Sequence, residues 1–190
     1  ASWGQMLPAF FGPGLAVANH AESGETIKSF VTSLRLAKIL AGLRRDDWLL
    51  IQFAHNDQKV HRPAVYADPE FAFPAWLRVL CGEAQARGAR PLLLTPVERR
   101  NFDPAGRIVE SHGAYPNAIR KLAQAEGIPL VDLHRASIGL YERLGPELSP
   151  RAFNDGGKDR SHHNAYGAWL LAAAVAEGLR SACPEVAAFL

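Results

Sequence analysis

The stretch 48-WLLIQFAHNDQK-59 decides the fold. Its first half, Trp48 to Phe53, is an apolar run of strand length, and its second half is polar and turn-forming, the pattern of a buried strand that ends in a loop. Three other runs repeat it: 15-LAVANHA-21, 91-PLLLTPV-97 and 129-PLVDL-133. Between and after them lie segments of helical period, 27-IKSFVTSLRLAKILAGL-43, 75-AWLRVLCGEAQARG-88, 115-YPNAIRKLAQAEG-127 and 164-NAYGAWLLAAAVAEGLRSA-182. Gly42, Gly88 and Gly127 stand at C-cap positions. Strand followed by helix, repeated, predicts an α/β fold of three layers: a mostly parallel open sheet with helices on both faces.

Composition sets the outer bounds. The chain has 190 residues, a prior for one domain with a substantial core, and 48% of them are hydrophobic, which argues against disorder. Net charge is +2 with both signs scattered, so the clustered basic footprint of a nucleic-acid binder is missing. No apolar run approaches the roughly 18 residues of a membrane span. Cys81 and Cys183 lack the spacing of a zinc or redox motif, and the sequence leaves a disulfide between them open. No repeat, low-complexity tract or linker divides residues 1–190, and the long loop 56-NDQKVHRPAVYADPEFAFP-74 follows a strand, where α/β folds place their sites.

Three clusters near strand ends can carry chemistry. In 159-DRSHHNAYG-167 an acid precedes a histidine by three residues, and Asn164 suits a helix N-cap. That spacing lets the Asp159 carboxylate accept the Nδ1 proton of His162 and leaves Nε2 for a hydroxyl proton. Taken alone, a solvated Asp159 and a structural histidine are the commoner outcome. In 22-ESGETIKSF-30, Gly24 allows a backbone N–H to approach a ligand, or forms an ordinary strand-to-helix turn. In 54-AHNDQK-59, Asn56 either directs its amide into a cleft or bonds its own backbone. Together they amount to a base with its orienter and two oxyanion donors, a set suited to acyl transfer. His55, His61, His162 and His163 come with no HExxH or Cys pair, so no metal and no cofactor is expected. Arg99 and Arg100 read as a solvated face before a contact for an anionic sugar. Trp76, Trp169 and Phe189 read as core.

Five ordered blocks, 3-WGQMLPAFF-11, 19-NHAESGETIKSF-30, 51-IQFAHNDQK-59, 95-TPVERRNFD-103 and 159-DRSHHN-164, resemble the SGNH (GDSL-like) hydrolases, and within them the rhamnogalacturonan acetylesterase-like branch. The resemblance implies a flavodoxin-like αβα fold in a single domain spanning 1–190. It implies an oxyanion hole from the Gly24 N–H and the Asn56 side chain, with Asp159 as orienter and His162 as base. The family's nucleophile lies in a Gly-Asp-Ser block on the first strand. No such block occurs in these residues, nor a Gly-x-Ser-x-Gly elbow, and neither Ser2 nor Ser23 matches it. The family's Trp-Gly-Gln segment follows that block closely and here is Trp3-Gly4-Gln5, so the first strand and its serine are expected upstream of Ala1. Two positions depart from the branch: Glu25 stands where Arg is usual, and His163 where an aromatic is frequent. Both are expected to touch substrate, His163 by lining the acyl pocket.

The resemblance therefore implies an acetylesterase acting on rhamnogalacturonan, xylan or xyloglucan type polysaccharide through an acyl-serine. Its partners are acetylated oligosaccharide or polysaccharide and neither nucleic acid nor membrane, and its location is secreted or periplasmic. The missing Gly-Asp-Ser motivates two other expectations: an inactive binding or scaffold domain, and a nucleophile strand supplied by a separate chain or by a segment split off by an inserted domain.

Overall fold

Two of the four apolar runs become the paired strands of the sheet. β1 is Trp48–Ile51 and β2 is Arg90–Leu94, paired in parallel with Trp48 opposite Arg90 and Ile51 opposite Leu93. β3, Leu130–Val131, completes an open parallel sheet in the order β1-β2-β3, with the Leu93 N–H donating to the Pro129 carbonyl at 2.9 Å. All of residues 1–190 are described by this computed structural model. The helices are α1 (Trp3–Met6), α2 (Ile27–Thr32), α3 (Arg35–Gly42), α4 (Ala72–Ala86), α5 (Tyr115–Glu126), α6 (Leu133–Leu148), α7 (Ala165–Ala182) and α8 (Pro184–Ala187). The result is the expected α/β class, and no helix is long and apolar enough to cross a membrane.

Three sequence expectations need correction. Residues 15–21 form no strand. Leu15 and Val17 are only half-buried and the rest of the run is exposed, so too little apolar surface is available to fix it in a sheet. The single helix expected over 27–43 is two, because Leu34 takes a left-handed φ of 61° between α2 and α3. Val31, Thr32 and Ser33 are weak helix formers just before that break. The run 129–133 yields only two strand residues, since the Asp132 side chain accepts the Arg135 N–H and caps α6. That helix had no counterpart in the sequence reading; Leu133, Ser137 and Tyr141, four apart, form its buried stripe.

The chain divides into two compact units, Ala1–Ala21, Val97–Ser111 and Val131–Leu190 in one and Glu22–Pro96 and His112–Leu130 in the other. The second unit holds β1, β2 and α2 to α5 around Phe30, Ile51, Phe73, Leu77, Leu93 and Ile119. Its long loop is pinned by Tyr115, whose hydroxyl donates to the Ala67 carbonyl at 2.8 Å and lies 3.2 Å from the Asp57 carbonyl. Ala54, at the exit of β1, is buried with φ 131°, a conformation costly for a residue with a Cβ. Cys81 in this unit and Cys183 in the other are buried free thiols, and burial pushes the Cys81 thiol up to about 12.

The first unit is built on α7, whose Ala168, Leu171, Ala172, Val175 and Leu179 are buried and which packs against α1 and α6. A Cβ on Gly167 would lie 2.0 Å from the Ala152 carbonyl oxygen, so the first turn of α7 requires glycine for this close approach. Trp169 and Phe189, expected in the core, are 47% and 43% exposed; Trp169 instead meets Phe10 at 5.6 Å. The buried polar centre of this unit is Glu98. Its carboxylate takes the His134 Nε2 at 3.0 Å, the Arg99 N–H at 2.6 Å, the Ser111 N–H at 3.0 Å and the Ser111 hydroxyl. Burial would raise this carboxyl, but the bonds from His134, Ser111 and the two backbone groups outweigh it and hold it down to about 2.

A folded-state value below the ordinary one makes ionised Glu98 stabilising at neutral pH, and that contribution is lost as pH falls from about 4.5 through about 2. Glu98→Gln turns one acceptor into a donor facing donors; it is expected to cost about 3 kcal/mol at pH 7 and to flatten the acid limb of stability, measured by urea unfolding across pH. Ala54→Gly relieves the strained φ and is expected to gain about 1 kcal/mol, a rise in Tm of roughly 2–4 °C by calorimetry.

Candidate active site

Asp159 organises its own loop. Its Oδ1 accepts the backbone N–H groups of Ser161 at 2.8 Å and His162 at 2.9 Å, and its Oδ2 meets His162 Nδ1 at 2.8 Å. One short-range carboxylate thus fixes both the turn and the imidazole. Burial would raise the Asp159 carboxyl, but the bonds from the His162 and Ser161 backbone and from the His162 ring hold it at about 2. The His162 side chain is 68% exposed and Nε2 has no protein partner. With Nδ1–H directed at Asp159, the lone pair of Nε2 is available to take a proton.

The surroundings of this loop hold it in place. The Asn154 N–H donates to the His162 carbonyl at 3.0 Å, and Phe153 bridges His163 in antiparallel fashion. Asn164 caps α7, its Oδ1 accepting the Gly167 N–H at 3.0 Å while its Nδ2 donates to the Arg151 and Phe153 carbonyls. Arg100 also braces the loop: its N–H donates to the Arg160 carbonyl at 2.8 Å and its guanidinium to the Gly157 carbonyl. Arg99 donates to the Ser111 hydroxyl at 2.9 Å. The solvated face expected of Arg99 and Arg100 is therefore a pair of partly buried struts.

His163 turns the other way from His162, because neighbouring residues in extended backbone point to opposite sides. It is 6% exposed, lies against Phe153 at 4.3 Å, and its Nε2 accepts the Tyr141 hydroxyl at 2.7 Å. Burial pushes its imidazole down to about 4, so it is neutral at physiological pH. The expectation that His163 lines an acyl pocket is corrected: the ring belongs to the core and anchors the chain beside His162.

Gly24, Glu25 and Asn56 lie in the other unit. Gly24 adopts φ 84°, no atom lies within 4 Å of where a Cβ would be, and its N–H meets no protein acceptor. Glycine is required here by conformation alone. Thr26 then caps α2, exchanging bonds with Ser29 at 3.0 and 2.9 Å. The Glu25 carboxylate is bound to Arg35 Nε at 2.8 Å and to the Ser29 hydroxyl, so the expected substrate-facing charge is already paired within the unit. Asn56 ties the two blocks together: one Nδ2–H donates to the Glu25 carbonyl at 3.0 Å, and Oδ1 accepts from Lys59 Nζ at 2.6 Å. Asp57 does the same from within the core, accepting the Ile27 N–H at 2.7 Å and the Ala54 N–H at 3.0 Å, with burial pushing its carboxyl up to about 6 against these bonds.

Of the expected site residues, Asp159 and His162 meet within the first unit, and Glu25 and Asn56, one residue beyond Gly24, meet within the second. Asp57, Lys59 and Tyr141 were missed, and Arg100 was read only as a solvated face or a sugar contact. Asp57 and Lys59 stand inside the block 54-AHNDQK-59, yet only the fold reveals that one is buried and the other reaches Asn56. No group of three or more His, Cys, Asp or Glu side chains is placed to hold a metal.

The fold agrees with what known proteins show. The model of the GDSL-like Lipase/Acylhydrolase family matches residues 1–170, and the chain belongs to that family, a group of esterases of SGNH type. It is 38% identical over 190 residues to rhamnogalacturonan acetylesterase RhgT of Bacillus subtilis (strain 168), covering 94% of this chain and 80% of the relative. It is 32% identical over 180 residues to the probable rhamnogalacturonan acetylesterase YesY of the same organism, covering 94% and 82%. The crystal structure of B. subtilis protein YxiM superposes with a TM-score of 0.86 at 28% identity, over 95% of this chain and 50% of that one.

The neutral His162 ring is expected to carry its proton on Nδ1. Long-range proton–nitrogen correlation spectra at pH 8 check this, and Asp159→Asn should shift population toward the Nε2–H tautomer, whereas Arg100→Lys should not.

Proposed function

We propose that the chain is a carbohydrate esterase that removes O-acetyl groups from plant cell-wall polysaccharide or its oligosaccharides, of the rhamnogalacturonan, xylan or xyloglucan type. The observation that carries this reading is the Asp159–His162 pair, with a 2.8 Å contact on Nδ1 and an unpartnered, exposed Nε2. Two acetylesterase relatives above 30% identity support the acetyl and carbohydrate parts of it. The inactive-scaffold alternative draws no support from them.

In this reading His162 Nε2 takes the proton of a serine hydroxyl as its oxygen attacks the acetyl carbonyl carbon, and Asp159 holds the imidazolium that forms. Negative charge on the carbonyl oxygen meets the Gly24 N–H and the second Nδ2–H of Asn56, each donor worth roughly 3 kcal/mol of barrier. The sugar oxygen leaves with the proton from His162, and water, deprotonated by the same ring, attacks the acyl-serine and releases acetate. Asp159 stays ionised down to about pH 2, so its orienting role holds throughout the working range.

Hydrolysis of p-nitrophenyl acetate and of acetylated rhamnogalacturonan oligosaccharide by the protein as encoded in full provides the test. His162→Ala is expected to lower kcat by about 10³-fold. Equal rates for the variant and the parent would sink the assignment.

A further inference from the structure

We propose that Lys59 is a positioning residue for the oxyanion site, locking and polarising the carboxamide of Asn56; this rests on the esterase reading above. An Asn side chain can present either its oxygen or its NH2 to a given neighbour, and only the hydrogen-bond network decides which. An ammonium has three donors and no acceptor, so Lys59 Nζ, 2.6 Å away, can be met only by Oδ1. The NH2 group must then face the other way, where one N–H is fixed by the Glu25 carbonyl at 3.0 Å. Both ends of the amide are thereby held, and one N–H is left for a ligand.

The lysine also alters the strength of that donor. A charge-assisted bond to the carbonyl end draws electron density from the amide nitrogen and makes its remaining N–H a better donor. This effect is largest when a full negative charge faces the N–H, that is, in the tetrahedral intermediate. Lys59 therefore acts on turnover more than on substrate binding. Its place three residues after Asn56 in a turn, closed by the Lys59 N–H to the Asn56 carbonyl at 3.2 Å, lets the side chain fold back without an extra element.

Steady-state hydrolysis of p-nitrophenyl acetate by the full-length protein, in a double-mutant cycle, tests the proposal. Lys59→Met is expected to lower kcat about 10-fold with KM within about twofold, and Lys59→Arg to recover most of it. Asn56→Ala is expected to lose about 10²-fold, and adding Lys59→Met to it to cost nothing more, because the lysine acts through the amide. A Lys59→Met loss that persists unchanged in the Asn56→Ala background, or no loss at all beside an impaired Asn56→Ala, overturns the role of Lys59 alone. Full activity in Asn56→Ala overturns it together with the oxyanion assignment. The Asn56 side-chain amide resonances give a readout independent of turnover: Lys59→Met should shift them and speed their solvent exchange, and an unchanged pair would count against the proposal.

Discussion

Two backbone N–H groups from separate stretches of the chain, those of Ile27 and Ala54, converge on one buried carboxylate, Asp57. Much of the second unit follows from this contact. It closes the first turn of α2, which would otherwise leave donors unmet, and it sets the angle at which the chain leaves β1. The strained backbone at Ala54 persists because its N–H has a partner there. Asp57 is held at a cost, since burial raises its carboxyl to about 6 in spite of two strong acceptor bonds. What the contact secures is geometric: the turn bearing Gly24 and the loop bearing Asn56 are tied to one atom group.

The first unit solves a comparable problem at short range. Asp159 gathers two N–H groups and a ring nitrogen from residues two and three positions ahead, so the loop is self-contained. It is then braced from outside by Arg100, Asn154 and Asn164, and the next residue after His162, His163, sinks into the core against Tyr141. An exposed imidazole next to a buried one is the consequence. The same backbone alternation that frees His162 immobilises the chain beside it.

These two arrangements explain which parts were legible in the sequence. β1, β2, α4, α5 and α7 were readable because their apolar spacing is local and their caps, Gly127 and Asn164, sit at the expected ends. Asp159 and His162 were readable for the same reason, their partners being three residues apart. The early end of β3 and the start of α6 depend on Asp132, whose side chain competes with the backbone, and the break at Leu34 depends on one left-handed φ; both signals are too weak against apolar periodicity. Asp57, Arg100 and Tyr141 each work through a partner at least 22 residues away. Nothing in their immediate neighbours distinguishes them from ordinary loop or helix residues.

Each unit is stitched from separated stretches, three in one and two in the other, so five segments alternate and the chain crosses from unit to unit four times. The consequence is kinetic. No single cut can release either unit as a continuous piece, and the first unit cannot close until its earliest and latest residues have both been made. Folding must then wait on contacts of long sequence separation, which slows it relative to a chain whose units are contiguous. During synthesis the second unit, finished by Leu130, has all its parts while the first still lacks α6 and α7, so the order of assembly is written into the order of the chain.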